Sequence, residues 1–441
     1  MVKVIGKRKH IEIYPFISTL LIIYMLAINN SRNSNLSLIA IIISSIFIFK
    51  PVYILSPLFI SSLLGDYFVA FKGISISRII VIIYILGTFF EFIKNNTKFK
   101  IMDFITIAFI CSFNFFSSAT SITGNIIPGL TMTLNLVMMF CMIYTRVDDS
   151  DVLLKNFSIS ILIFTIFITF TILSGNALTV NDRGVDRLVL DESLNANRIG
   201  MALAQMSAFI FGKLKTTSNT RSKLVYITII ILNILNLILT GSRSAMLAII
   251  SSMLIINCID LFKMKKIGKK FLSYSIIFII LIVGCASVSN LDYDIIQRFS
   301  LKNILETGGT GRLLIWKSLI KYVIPNHLLF GVGIGGENVV KAITPYISIP
   351  HGAHNFLITI ITQVGIFGSI LYFTFFYKNV KKIISKYFSI YNLVIPLTMI
   401  LTAFINGIGE DIFSVRFLWF DIGLGLMIIN NYWKIDNKDE E

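Results

Sequence analysis

The sequence predicts an all-α integral membrane protein: a polytopic bundle of about 12–14 transmembrane helices with one long extracytoplasmic loop. Three observations carry that prediction. Hydrophobic residues make up 55% of the 441 residues, charged residues only 14%, and the mean hydropathy is +0.82. A soluble domain cannot hide so much apolar surface. Apolar runs of the length that crosses about 30 Å of hydrocarbon recur along the chain. Finally, Lys and Arg collect in alternate connections between those runs, the bias of loops that stay in the cytoplasm.

The elements follow in order. Lys3, Lys7, Arg8 and Lys9 lead into an apolar run that ends near Ala27 with no small-residue cleavage site after it. That run, 11–29, reads as a retained helix and not as a signal peptide. Runs 36–50 and 52–65 are short, and Pro51 and Pro57 mark them as a re-entrant pair. Further segments span 78–94, 102–118, 128–145, 152–174, 197–212, 224–240, 243–259, 271–288, 355–377, 391–406 and 413–431.

With a cytoplasmic N-terminus, the inner connections hold Lys94, Lys98 and Lys100, then Lys213, Lys215, Arg221 and Lys223, then the lysines of 263–270, then Lys378, Lys381, Lys382 and Lys386. The outer connections are the neutral stretch 117–127, the mixed-charge stretch 175–196, the tight turn Gly241-Ser242-Arg243 and the long stretch 289–353. Merging 36–50 with 52–65 would invert every later loop, so they stay separate and both termini fall in the cytoplasm of a multi-pass protein of the bacterial cell membrane. Three regions result: a transmembrane bundle over 1–288, an extracytoplasmic loop over 289–353, and C-terminal transmembrane helices with a short tail over 354–441. The excess of 39 Lys and Arg over 23 Asp and Glu is therefore a topology signal, and nucleic acid is not the expected partner. Cys111, Cys141, Cys258 and Cys285 lie in or at the ends of apolar runs, without metal-ligand spacing or a disulfide framework.

The loop 289–353 is long for a connection without function. It holds His327, His351 and the cluster Gly331, Gly333, Gly335 and Gly336, with His354 at its end. Its stretch 312–324 reads as an amphipathic helix with Leu313, Trp316, Leu319, Ile320 and Val323 on one side and Lys317 and Lys321 on the other. Such a helix suits the membrane–water boundary.

Candidate chemistry gathers on that outer side. A neutral imidazole at His354 is able to take a proton from a sugar hydroxyl near neutral pH; the plainer reading is that His354 and Asn355 cap the helix that follows. His351 is an alternative base. No companion carboxylate or Cys cluster supports a metal at these histidines, and no metal or cofactor is expected. Arg243 sits in a turn too short to leave the membrane surface, where it meets either a diphosphate or lipid headgroups. Arg198 follows Asn195 and Asn197 at a helix start whose positive end favours an anion. Arg312 follows Gly308-Gly309-Thr310-Gly311, which lacks the Lys-Ser or Lys-Thr of a nucleotide loop. Glu410 and Asp411 stand at an outer end where they would orient sugar. Arg416 and Asp421 either neutralise each other or pair with neighbours inside the bundle.

These pieces resemble the O-antigen ligase and Wzy-type O-antigen or capsule polymerase family. The resemblance covers roughly 190–410 and rests on Asn195-Ala196-Asn197-Arg198-Ile199-Gly200, Thr240-Gly241-Ser242-Arg243-Ser244-Ala245, Gly311-Arg312-Leu313-Leu314-Ile315-Trp316, Gly331-Val332-Gly333-Ile334-Gly335, and His354-Asn355-Phe356-Leu357 followed by Gln363-Val364-Gly365-Ile366-Phe367-Gly368. It implies a metal-independent, inverting glycosyltransferase of the GT-C type that moves oligosaccharide from undecaprenyl diphosphate to a hydroxyl. By that likeness His354 is the general base or the residue that orients the acceptor, and Arg198, Arg243 and Arg312 bind and stabilise the departing diphosphate. Asn197, Asn355 and His351 join Arg198 as the expected substrate contacts. Many relatives carry an acidic residue where this chain has Gln363.

The motifs do not separate a polymerase of lipid-linked repeat units from a ligase. The abundance of Ile, Asn and Lys suggests a Gram-positive source without a lipopolysaccharide core, which favours the polymerase, with a chain-length regulator and a flippase as further partners. A transporter of lipid-linked oligosaccharide is the alternative of a different class. It would show repeated halves or paired broken helices near the bilayer midplane, and neither is visible.

Overall fold

The computed structural model describes residues 50–64, 69–71, 74–147, 149–174, 178–182, 185–189, 195–264, 311–348 and 351–436. The expected segments 11–29 and 271–288, and 36–50 except for Lys50, lie outside the described residues.

The chain is a helical bundle. After a 3-10 turn at Pro51–Ile54, the helices are α1 (Leu55–Leu64), α2 (Ile76–Lys94), α3 (Ile101–Ala119), α4 (Ile127–Tyr144), α5 (Ser150–Leu173), α6 (Ala196–Thr216), α7 (Thr220–Leu239) and α8 (Arg243–Met264). Then come α9, a continuous helix built of Arg312–Ser318, a π turn at Leu319–Val323 and Ile324–Asn326, followed by α10 (Gly336–Ile343), α11 (Phe356–Lys386), α12 (Val394–Asn406) and α13 (Arg416–Asp436). Among the described residues six helices are long and apolar enough to cross a membrane: α3, α4, α5, α7, α11 and the 243–260 part of α8. The protein is thus an all-α polytopic membrane protein. α1 is too short to span, and its Leu55, Leu58, Phe59 and Ile60 are wholly buried.

Two small antiparallel hairpins depart from the purely helical expectation: β1 (Val69–Phe71) with β2 (Ile74–Ser75), and β3 (Leu178–Asp182) with β4 (Val185–Val189). The second lies in the mixed-charge stretch 175–196. Its register runs from Leu178 opposite Val189 to Asp182 opposite Val185, and its Thr179, Val180, Val185 and Val189 are β-branched residues that favour extended backbone.

α13 runs through the centre, with Phe417, Trp419, Phe420 and Ile422 fully buried. Polar side chains inside the bundle find partners on neighbouring helices, as a low-dielectric interior requires. Asn233 of α7 accepts from Thr165 Oγ1 of α5 at 2.9 Å, and Asn236 Nδ2 donates to Thr169 Oγ1 at 3.1 Å. Arg416 Nε donates to Asn135 Oδ1 at 2.9 Å, and its Nη1 to Ser77 Oγ. Of the two expectations for Arg416 and Asp421, Arg416 fits pairing with neighbours. Asp421 is fully buried, and neither of its carboxylate oxygens has a hydrogen-bond partner among the described residues.

Two sequence motifs explain each other. α11 breaks at Gly365, whose φ of +64° and ψ of −169° are not helical. The glycine-rich segment after α9 crosses at that break and satisfies the backbone groups it frees. Val332 N and Gly333 N donate to Thr362 O and Gln363 O, each at 2.9 Å, while Ile366 N and Phe367 N donate to Leu328 O and Leu329 O at 2.8 and 3.2 Å. A broken helix at membrane depth is tolerated only where protein covers the break. The approach is close enough to demand glycine, since a Cβ on Gly331 would lie 2.4 Å from Gln363 O and one on Gly365 2.3 Å from Leu329 O. Gly365→Ala is therefore expected to lower the thermal unfolding midpoint in detergent sharply. It combines that clash with a left-handed backbone, a strain of about 1–3 kcal/mol, and an unchanged midpoint would refute the account.

The amphipathic helix is present with a different buried face. Ile315, Leu319 and Val323 are buried with Val332, Val339, Ile343 and Ala353 in a small second core, and Trp316 packs beside them. Leu313 and Ile320, expected on that side, are 60% and 56% exposed. At about 100° per residue, positions 315, 319 and 323 fall within about 80° of one another in any α-helix, and the π turn at Leu319–Val323, which winds less per residue, narrows that arc. Leu313 lies on the other side of Ile315, and Ile320 past the edge of the arc.

Candidate functional site

At one end of the bundle, the starts of α6, α8, α9, α10 and α11 meet the loop between α12 and α13. Gly200 of α6 packs on the α7–α8 turn so tightly that a Cβ there would lie 2.5 Å from Ser242 Cβ and 3.0 Å from Thr240 Oγ1. Gly409 of the α12–α13 loop allows a similar approach, since its Cβ would sit 2.8 Å from Ser244 Cβ and 3.2 Å from Arg312 Nη1. The glycines thus fix the arginine-bearing helix starts against one another.

A cavity of about 180 Å³ opens there. Asn195, Asn197 and Arg198 of α6 line it together with Gly336 and Val339 of α10. Gly352, Ala353 and His354 complete the wall with Thr359 and Gln363 of α11, Glu410 and Asp411. Its volume is close to that of a cavity of about 150 Å³ that takes up one benzene, the scale of a single sugar ring.

Glu410 is the hub. Its Oε1 accepts from Arg312 Nη2 at 2.8 Å and from Asn197 Nδ2 at 2.6 Å, and its Oε2 faces His354 Nδ1 at 3.1 Å. Burial alone would push the Glu410 carboxyl up. The hydrogen bond with His354 and the charges of Arg312, His354 and Arg198 outweigh that and hold it below the usual carboxylate range. Asp411, next in sequence, goes the other way: burial lifts it above the ordinary range despite Arg198, the Phe413 N–H and His354. The two adjacent carboxyls are thus pushed in opposite directions by their surroundings.

Because its folded pKa lies below its unfolded one, Glu410 contributes stability that is full above the ordinary carboxylate range. That contribution is lost only as the pH falls through the folded value. The parent's advantage in unfolding midpoint over Glu410→Gln is expected to hold from neutral pH down through about pH 5 and to fade below about pH 4. An advantage already gone at pH 6 would contradict the depressed carboxyl.

The sequence-predicted residues divide as follows. Arg198 and His354 line the cavity, and Arg312 reaches it through Glu410. Asn197 commits an amide N–H to Glu410. Asn355 is taken up in the fold: its Oδ1 caps α11 by accepting from Ile358 N at 3.1 Å, and its Nδ2 donates to Ile408 O at 3.0 Å. His351 is exposed, one residue from the lining Gly352. Arg243 is half-buried at the start of α8, between Ser242 and Ser244, which touch the two glycines above.

Sequence reasoning placed Glu410 at this end without its central part, and it missed Thr359. That hydroxyl is buried, lines the cavity and has no hydrogen-bond partner among the described residues. Gln363 is at least as buried, and its Oε1 accepts from Gly335 N at 3.1 Å, fixing the glycine loop at the cavity wall.

Residues 228–373 match the family model described as O-antigen ligase. That span contains Arg243, Arg312 and His354. No curated protein matches the chain.

Proposed function

We propose, from the match of residues 228–373 to the O-antigen ligase family model, a glycosyltransferase that polymerises undecaprenyl-diphosphate-linked repeat units into a capsular or O-antigen-type polysaccharide. The observation that carries this reading is the meeting of Arg198, Arg312, His354 and Glu410 around one cavity, ringed by helix N-termini. Helix starts present unpaired N–H groups and partial positive charge to an anion, and guanidinium groups bind phosphate oxygens in pairs. A lipid diphosphate is the anion that suits a site at the end of a membrane bundle.

The chemistry follows from the hub. With Glu410 ionised, His354 Nδ1 donates to it, and the imidazole lone pair sits on Nε2. The acceptor hydroxyl of one glycan attacks the anomeric carbon of another, and its proton passes to Nε2. The bond between that carbon and the diphosphate oxygen breaks on the opposite face, which inverts the anomeric centre. Negative charge grows on the diphosphate, where preorganised cations are worth most. Thr359 and Asp411 offer hydrogen-bonding groups to the sugar. The exposed Leu313, Leu314 and Ile320 of α9, flanked by exposed Lys317 and Lys321, support a place for this helix at the outer membrane boundary. In this reading the site faces outward and both termini lie in the cytoplasm of a bacterial cell membrane. The donor is delivered by a flippase and product length is set by a regulator.

Purified protein in vesicles, given lipid-linked repeat units alone, tests the proposal. Chain growth supports a polymerase, and transfer only after a different hydroxyl acceptor is added makes it a ligase. Movement of lipid-linked sugar without bond formation would overturn both.

A further inference from the structure

The turn that carries His354 is strained and externally held. His354 has a φ of +46°, in the left-handed region that residues bearing a Cβ avoid. The preceding residue, Ala353, is buried, and its carbonyl accepts from Trp316 Nε1 at 2.6 Å. That carbonyl belongs to the peptide plane about which φ of His354 is measured, so rotating it swings the imidazole. Trp316 lies one turn beyond Arg312 on α9, and Arg312 holds the carboxylate that His354 Nδ1 faces. One helix therefore grips the histidine twice: through its backbone at Ala353 and through its side chain by way of Glu410.

We propose that Trp316 is a positioning residue for His354. Its indole N–H fixes the 353–354 peptide so that Nδ1 meets Glu410 and Nε2 faces the acceptor. α9 then sets the base and the diphosphate-binding arginine as one unit. A role confined to packing needs only the ring, and that ring does pack beside the small core. The N–H bond to a buried carbonyl next to a left-handed residue is what packing does not require. The inference rests on His354 being the base.

Trp316→Phe keeps an aromatic body and removes the donor. A benzothiophene side chain installed at Trp316 replaces N–H by sulfur with the ring size kept, and covers the case in which the Phe variant folds poorly. With lipid-linked repeat units as substrate, both are expected to lower kcat by about 10–100-fold, the scale of a misplaced catalytic group, with KM for the donor within about twofold. Nitrogen-15 spectra of the labelled histidines should show the His354 Nδ1–H tautomer giving way to a mixture. Parental kcat and an unchanged tautomer in a folded variant, or a raised KM with kcat intact, would overturn the proposal. If His354→Ala itself remained active, the base assignment would fail instead, which keeps the two failures distinct.

Discussion

His354→Ala is expected to abolish glycan transfer, a loss of about 10²–10⁴-fold for a missing general base, while the protein remains folded and inserted. The imidazole is about one-third exposed and lies at the rim of the bundle core, so its removal leaves no deep cavity. It also leaves Glu410 with Arg312 and Asn197 as partners. Should alanine at the left-handed position destabilise the turn, His354→Gly provides the comparison, since glycine adopts that backbone freely. Glu410→Gln should fall between parent and His354→Ala. The amide still accepts a hydrogen bond, but it no longer provides the negative charge that favours the Nδ1–H tautomer and stabilises the imidazolium after proton transfer. Transfer activity would be followed by growth of the lipid-linked product, and membrane content by quantitative immunoblot. Normal product from His354→Ala would remove the base from the mechanism.

The membrane class and most positions of the described helices were legible in the sequence, because each rests on local signals. Runs 102–118, 128–145 and 152–174 sit within one or two residues of α3, α4 and α5 at either end. What escaped depends on tertiary geometry. The buried face of α9 depends on where Val332, Val339 and Ile343 pack against it, which leaves no mark in the hydrophobic pattern of the helix. The break of α11 at Gly365 is invisible in an apolar run, although the glycines of 331–335 hinted that backbone had to approach backbone there. Glu410 read, with Asp411, as a residue at an outer end that would orient sugar. Its weight comes from three partners that are 56, 98 and 213 positions away in sequence. A carboxylate among convergent cations is a spatial fact, and no one-dimensional spacing encodes it.

Arg312→Ala is expected to lower kcat/KM by about 10²–10³-fold, the cost seen when one preorganised donor to a developing anion is lost. Arg312→Lys should recover only part of it. An ammonium restores the charge, but it lacks the planar fork that lets one side chain hold Glu410 Oε1 and still present N–H groups to phosphate oxygens. The alanine variant should also unfold earlier, because Glu410 is almost fully buried and loses a charged partner, a penalty of about 1–3 kcal/mol. Stability and catalysis are therefore confounded in the single substitution. Combining Arg312→Ala with Glu410→Gln separates them, since the second change removes the charge left poorly matched by the first. A positioning role for Arg312 alone predicts that the double variant recovers both its unfolding midpoint and most of the activity of Glu410→Gln. A diphosphate-binding role predicts recovery of the midpoint with activity still at the level of Arg312→Ala, and the second pattern is the one expected. Arg243→Ala should match that activity loss if the turn at the start of α8 also faces the diphosphate. Full activity in both arginine variants would leave Arg312 as a structural partner of Glu410 and take the leaving group out of this cavity.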